Sequence, residues 1–217
     1  MAMHSGAVEV LVVRHAERLD ETEQKDAFYR TCGDRWWDPP LSARGVAQAS
    51  SAGAQLRALH ARQPFDEVLC SPTLRTMQTA SYIAKELELG VRRVPGLAAC
   101  AAAIQQFGIG SFRPSNQIHE APHGKQPKPR FLSEKECEAV CAPGTRFLPE
   151  DTMFEQFEPC VRRVAMQSSS RRVLIVSHRE GIRELRELAG SSDMRTPYCC
   201  ISRFLLADCQ AKWIYAP

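Results

Sequence analysis

The sequence lacks three features that would assign it to a broad functional class at once. No apolar run approaches the roughly 20 residues that a membrane-spanning helix requires. The 28 basic and 25 acidic side chains leave a net charge of +3, which is too small by itself to indicate nucleic-acid binding. The N-terminus, MAMHSGAVEV, shows no basic segment followed by an apolar core, so no signal peptide is predicted.

Cysteine is abundant, but its arrangement favours neither a disulfide framework nor a metal site. The nine cysteines are odd in number, and several lie inside apolar segments. We therefore expect reduced thiols in the core and a cytoplasmic location. The spacing Cys137-x-x-x-Cys141 is not followed by a second pair at zinc-site spacing, so no metal is predicted.

Short β-branched runs alternate with helical patterns along most of the chain. The predicted strands are residues 8–13, 67–70, 91–94, 173–176, 201–206 and 212–215, and the predicted helices are residues 42–62, 71–87, 151–167 and 180–188. This alternation is typical of an α/β protein, here a three-layer α/β/α sandwich with a mostly parallel sheet. The 217 residues fit a single domain.

The middle of the chain differs from the rest. Residues 108–149 contain six prolines and four glycines, which predicts an irregular insertion with one short helix after Ser133. The insertion is either a surface loop or a lid over a site. The lid is considered because long loops in compact domains are often functional.

Charged and histidine side chains follow three of the predicted strands. Arg14-His15-Ala16-Glu17-Arg18 follows the first strand, Ser71 to Arg75 follows the second, and His178 to Gly181 follows VLIVS. In open α/β sheets the site lies outside the carboxyl ends of the strands, so these clusters are expected to meet at one rim.

Such a rim suits a phosphoryl group. Arginine offers a permanently charged fork of donors that matches phosphate oxygens. A neutral histidine nitrogen can attack phosphorus and form a phosphohistidine, while a second histidine donates a hydrogen bond to the transferring group. The residues themselves therefore predict phosphoryl chemistry.

Four segments, in order, resemble a known family. Arg14-His15 with Glu17-Arg18 resembles the RHG(E)R signature of the histidine phosphatase superfamily, the phosphoglycerate mutase-like proteins. LSxxGxxQA from Leu41, SPxxRxxQTA from Ser71 and VLIVSH from Val173 resemble further segments of that family. The RHxER form, Pro95-Gly96-Leu97 and Pro197-Tyr198 are similar to the Sts-type phosphatase domain within it.

The resemblance implies a role for each matching residue. His15 is the implied nucleophile, and His178 is the implied second histidine of the pocket. The implied phosphate-binding residues are Arg14, Arg18, Arg75 and His178, and the implied catalytic set is His15, His178, Arg14 and Arg75. No metal or organic cofactor is implied. A phosphorylated small molecule or a phosphopeptide is the expected substrate, without nucleic acid or membrane as partner, and the oligomeric state is left open.

The sequence departs from the family at two positions. Ala16 replaces the usual glycine, at small cost if its backbone is not left-handed. Ala99 stands where Sts-type phosphatases place the glutamate that protonates the leaving oxygen, and such a loss typically costs about 10²–10⁴ in rate. Glu120 or Glu180 is a possible substitute acid. Otherwise the protein is a slow phosphatase that favours aryl or tyrosyl phosphates, or a pseudo-phosphatase that binds phosphorylated ligands. A phosphoglycerate mutase is ranked below hydrolysis.

Overall fold

Seven strands form one sheet in the part of the chain that the structure describes. The structure is a computed structural model, which describes residues 7–35, 37–98, 132–151, 153, 155–207 and 212–216. The strands are β1 (Val8–Arg14), β2 (Val68–Cys70), β3 (Val91–Arg93), β4 (Phe147–Leu148), β5 (Arg172–Ser177), β6 (Ile201–Ala207) and β7 (Lys212–Ala216). Their order is β4-β3-β2-β5-β1-β6-β7, with β1 to β5 parallel and β6 and β7 antiparallel to their neighbours. The predicted mostly parallel sheet is confirmed.

Helices cover both faces of this sheet. Within the described residues they are α1 (Lys25–Thr31), α2 (Ala43–Arg62), α3 (Leu74–Leu87), α4 (Glu134–Val140), α5 (Phe157–Gln167) and α6 (Arg179–Leu188). Side chains of α2, α3 and α4 pack on one face, and side chains of α5 and α6 pack on the other. This arrangement is the three-layer α/β/α sandwich expected from the sequence.

The apolar run of β1 reflects burial on both sides. Leu11 and Val13 contact the core under α2 and α3, whereas Val10 and Val12 contact the core under α5 and α6. Successive side chains of a strand point to opposite faces, so a central parallel strand must be apolar throughout.

Two predicted helices begin later in the structure than in the sequence analysis. The helix predicted from Asp151 begins at Phe157, because the carboxylates of Asp151 and Glu155 bind Arg163 at 2.8 and 2.6 Å from outside the helix. The helix predicted from Ser71-Pro72 begins at Leu74. Ser71 is still held by the sheet, since its N–H donates to the carbonyl of Val176 at 3.2 Å.

The predicted insertion contributes to the sheet and core in its second half. The short helix predicted after Ser133 is confirmed as α4, and Ser133 and Glu136 form a capping box at its start. Leu132 and Cys137 are buried in the core. The prediction of irregular structure was wrong for Phe147–Leu148, which pairs with β3 as the edge strand β4. Residues 108–131 lie outside the described residues, so the choice between a surface loop and a lid stays a prediction.

The described residues also bear on the cysteine and membrane questions. Cys137 and Cys141 are buried among apolar side chains, and no cluster of three or more His, Cys, Asp or Glu suited to a metal occurs in the described ranges. No helix in those ranges has the length and apolarity needed to cross a bilayer.

Candidate active site

The strand order brings the three predicted clusters together. β5 lies between β1 and β2, so the residues that follow these strands share one rim of the sheet. His15 follows β1 and its N–H donates to the carbonyl of Ser177 at 2.9 Å. His178 follows β5, and the ring centres of His15 and His178 are 5.5 Å apart. Both rings are within reach of one small ligand.

The His15 ring is fixed in one tautomer. Its Nδ1 lies 2.8 Å from the carbonyl oxygen of Ala16, which can only accept a hydrogen bond. Nδ1 therefore carries the hydrogen, and Nε2 presents a lone pair. Burial, followed by the charge of Arg75, lowers the pKa of His15 well below its usual value, so the ring is neutral at pH 7.

His178 is neutral for similar reasons. Its ring is 2% exposed, and Nε2 lies 3.0 Å from the hydroxyl of Ser71 at the end of β2. Burial, then the charge of Arg75 and the nearby His15, lower the pKa of His178 well below its usual value. Two uncharged imidazoles thus face each other among cationic side chains.

Arg75 is the most deeply buried of the arginines at the site. It lies in the first turn of α3, and its Nη1 is 3.5 Å from the carboxylate of Asp38. Burial, then the charge of Arg18, lower the pKa of Arg75 to about 10, so the guanidinium remains charged at neutral pH.

Asp38 organises the region around Arg75. It is 1% exposed, accepts a hydrogen bond from the N–H of Leu74 at 2.8 Å, and pairs with Arg35 at 2.6 Å. Sequence analysis did not select Asp38. Its only signal was a carboxylate beside two prolines in the polar stretch before α2.

Arg18 and Arg14 complete the cationic shell. Arg18 Nε donates to Asp20 at 2.9 Å, and its Nη1 lies 3.2 Å from Glu21. Arg14 Nη1 donates to the carbonyl of Thr196 at 2.7 Å. The charges of Arg75, Arg14 and Arg18 all lower the pKa of His15, because all three lie near enough to disfavour a positive charge on its ring. The structure therefore brings every predicted phosphate-binding residue to one place.

The LSxxGxxQA segment docks α2 against the loop that carries the site. Ser42 caps α2 by accepting from the N–H of Gly45, and its hydroxyl donates to Glu17 at 2.8 Å. Gln48 accepts from the N–H of Glu17 at 3.0 Å. Glu17 also pairs with Arg44.

Replacing Gly45 by alanine should destabilise the fold. A Cβ at this position would lie 2.2 Å from the carbonyl oxygen of Glu17, and a backbone atom cannot move aside cheaply. We expect the free energy of unfolding to fall by about 2–3 kcal/mol in urea denaturation. The control is Ser51→Ala, at an exposed position of the same helix, which should change it by only a few tenths. Equal stability of the two variants would contradict this close contact.

The SPxxRxxQTA segment holds the same loop from α3. Gln78 accepts from the N–H of Leu41 at 2.8 Å, and Thr79 accepts from the N–H of Ala16 at 3.0 Å. The non-glycine residues with positive φ in the described ranges are Glu88, Arg171 and Cys199. Ala16 is therefore not left-handed, which is the condition under which alanine replaces glycine at small cost, and its methyl group packs in a small buried cluster.

Of the two candidate general acids, Glu180 lies within the described residues. Ala99 and Glu120 lie outside the described residues. The Pro95–Leu97 turn ends near the site, since Ser177 Oγ donates to the carbonyl of Leu97 at 2.7 Å. Glu180 is exposed and pairs with Arg179 at 2.9 Å.

The neutral histidines predict a pH dependence of stability. In the unfolded chain both rings titrate near 6.5. As the pH falls below 6.5, the unfolded chain binds protons at His15 and His178 that the folded protein does not bind until their lowered pKa values are reached. The free energy of unfolding should therefore decrease across this window. Urea denaturation at pH 7.5 and 5.0, in phosphate-free buffer, should show a smaller decrease for the variant carrying both His15→Asn and His178→Asn.

Comparison with known proteins identifies the family. The model of the histidine phosphatase superfamily (branch 1) matches residues 10–213. The chain therefore belongs to the histidine phosphatase superfamily. Membership of this family supports phosphoester hydrolysis or a related phosphoryl transfer.

Individual relatives agree with this assignment. Ubiquitin-associated and SH3 domain-containing protein A from Mus musculus is 34% identical over 116 residues, covering 41% of this chain. The match takes in only 18% of that protein. The ecdysone phosphate phosphatase of Bombix mori, in complex with tungstate, is similar with a TM-score of 0.56 at 18% identity, over 97% of this chain and 92% of that one. Phosphoglycerate mutase from Bacillus anthracis is similar with a TM-score of 0.52 at 17% identity, over 98% and 92%. These two structures establish the shared fold.

Proposed function

We propose that this protein hydrolyses phosphomonoesters through a phosphohistidine formed on Nε2 of His15. The observation that carries the proposal is the state of that ring: it is fixed through Nδ1, buried and neutral, and it lies within the electrostatic influence of three guanidinium groups. A nucleophile for phosphorus needs a free lone pair, and the dianionic phosphoryl group needs cations around it.

The chemistry divides into two displacements. In the first, His15 Nε2 forms a bond to phosphorus while the bond from phosphorus to the ester oxygen breaks, and that oxygen leaves with the bonding pair. In the second, water forms a bond to phosphorus as the P–N bond breaks, releasing inorganic phosphate and a neutral His15. Arg14, Arg18 and Arg75 neutralise the phosphoryl oxygens in both steps, and His178 donates to one of them.

The leaving group should decide the rate of the first step. A carboxylic acid would normally protonate the departing oxygen, but Ala99 stands at that position in the family pattern. Glu180 is engaged by Arg179 on the surface. Aryl and tyrosyl phosphates need the least protonation, so we propose that they are preferred over alkyl phosphates.

Steady-state hydrolysis of p-nitrophenyl phosphate and of an alkyl phosphate tests both parts. We expect kcat/KM for the aryl ester to exceed that for the alkyl ester by at least about 10²-fold. When the protein is incubated with a substrate that carries a labelled phosphoryl group and the reaction is then quenched, acid-labile label on the protein should report the phosphohistidine. Similar rates for both esters would contradict the aryl preference. Glu120 and Glu180 would then be mutated, because each is a candidate for the general acid. Vanadate binding without turnover of either ester would contradict hydrolysis and favour a phospho-ligand binding protein.

A further inference from the structure

A loop that follows α6 covers one side of His15. The ring centre of Tyr198 is 5.8 Å from that of His15, close to the 5.5 Å that separates the His15 and His178 rings. The guanidinium carbon of Arg14 lies 4.0 Å from the centre of the Tyr198 ring. Tyr198 thus flanks the nucleophile as His178 does, while it also stacks on a phosphate-binding arginine.

This loop is held firmly in place. Arg186 of α6 donates to the carbonyls of Arg195 at 2.7 Å and Asp193 at 2.9 Å. Arg183 donates to the carbonyl of Met194 at 3.0 Å. The position of Tyr198 beside His15 is therefore built into the fold.

Three polar atoms at this place are buried without a hydrogen-bond partner among the described residues. They are Nε of Arg14, Oγ1 of Thr196 and the hydroxyl of Tyr198. Thr196 is only 5% exposed, and its carbonyl already accepts from Arg14. Buried polar groups in native proteins are nearly always hydrogen-bonded. Three neighbouring polar groups without a partner therefore indicate that a ligand rich in acceptor oxygens binds here.

We propose that Tyr198 is a further substrate-binding residue, whose hydroxyl donates a hydrogen bond to a non-bridging oxygen of the phosphoryl group on its way to His15. The inference rests on the proposed function. A non-bridging oxygen is the acceptor because groups beside the attacking nitrogen face the equatorial oxygens, whereas the leaving oxygen lies on the far side of phosphorus. A phenol is protonated at neutral pH and can therefore donate.

The variant Tyr198→Phe tests the proposal. We expect kcat/KM to fall by about 10- to 100-fold, by the same factor for aryl and alkyl phosphates, because the lost bond is to the phosphoryl group common to both. The stabilisation by vanadate in thermal unfolding should weaken correspondingly. Without ligand, the variant should melt at or above the wild-type temperature, because an unpaired hydroxyl has been removed.

The matched control is Tyr215→Phe. Tyr215 also lies under an arginine, with the Arg186 guanidinium 4.7 Å from its ring centre, but it belongs to β7, away from His15. It should keep wild-type kinetics and vanadate response.

Three outcomes would overturn the inference. They are wild-type kinetics and vanadate response in Tyr198→Phe, a loss confined to the alkyl ester, and a lowered melting temperature without ligand. If the wild type itself turns over no ester, the proposed hydrolysis fails. The vanadate measurement then still decides the role of Tyr198.

Discussion

Replacing His15 by alanine should lower kcat on p-nitrophenyl phosphate by about 10⁴- to 10⁶-fold, the range seen when a catalytic nucleophile is removed. The ring supplies the only bond to phosphorus in the proposed intermediate, so acid-labile label on the protein should disappear as well. Arg14, Arg18 and Arg75 are unchanged, and their charges still favour a phosphoryl group. Vanadate should consequently continue to stabilise the variant against thermal unfolding.

His60 provides the control for this substitution. Its ring stacks on Phe65 at 5.8 Å and accepts from the Phe65 N–H, outside the site. His60→Ala should retain activity once folded. Substantial turnover by His15→Ala, or label on that variant, would show that another residue carries the phosphoryl group and would refute the proposed intermediate.

Replacing Arg75 by methionine should reduce kcat/KM for p-nitrophenyl phosphate by about 10²–10³-fold. Arg75 is 4% exposed, and charge stabilisation in a buried site is worth far more than at a surface. Phosphate or vanadate should also bind more weakly. Arg57→Met is the control, because Arg57 pairs with Glu86 on an exposed face and should leave the kinetics unchanged.

The buried partner of Arg75 separates an effect on catalysis from an effect on folding. Removing the guanidinium leaves Asp38 with Arg35 as its remaining ion-pair partner among the contacts described, so some stability should be lost. The further change Asp38→Asn should recover part of that stability without restoring activity. Recovery of activity by the double variant would contradict a direct role of Arg75 in binding the phosphoryl group.

The sequence by itself determined six of the seven described strands, most of the helices and the group of residues at the site. Apolar runs such as Val8 to Val13 are local signals, and helix caps such as Ser42 and Ser133 act within four residues. Parallel strands place their carboxyl ends along one edge of the sheet, so the residues that follow β1, β2 and β5 were expected at one rim. For that reason the sequence alone groups His15, His178 and Arg75.

Only the tertiary structure decided the contacts and the protonation states of those residues. The Arg14 bond to Thr196 joins positions 182 residues apart, and the bond between Leu74 and Asp38 spans 36. No local pattern encodes such contacts, because they arise from how separate elements pack. The neutrality of His15 has the same origin, since burial and three nearby cations lower its pKa. The edge strand β4 likewise depends on a distant partner, because it forms only by pairing with β3.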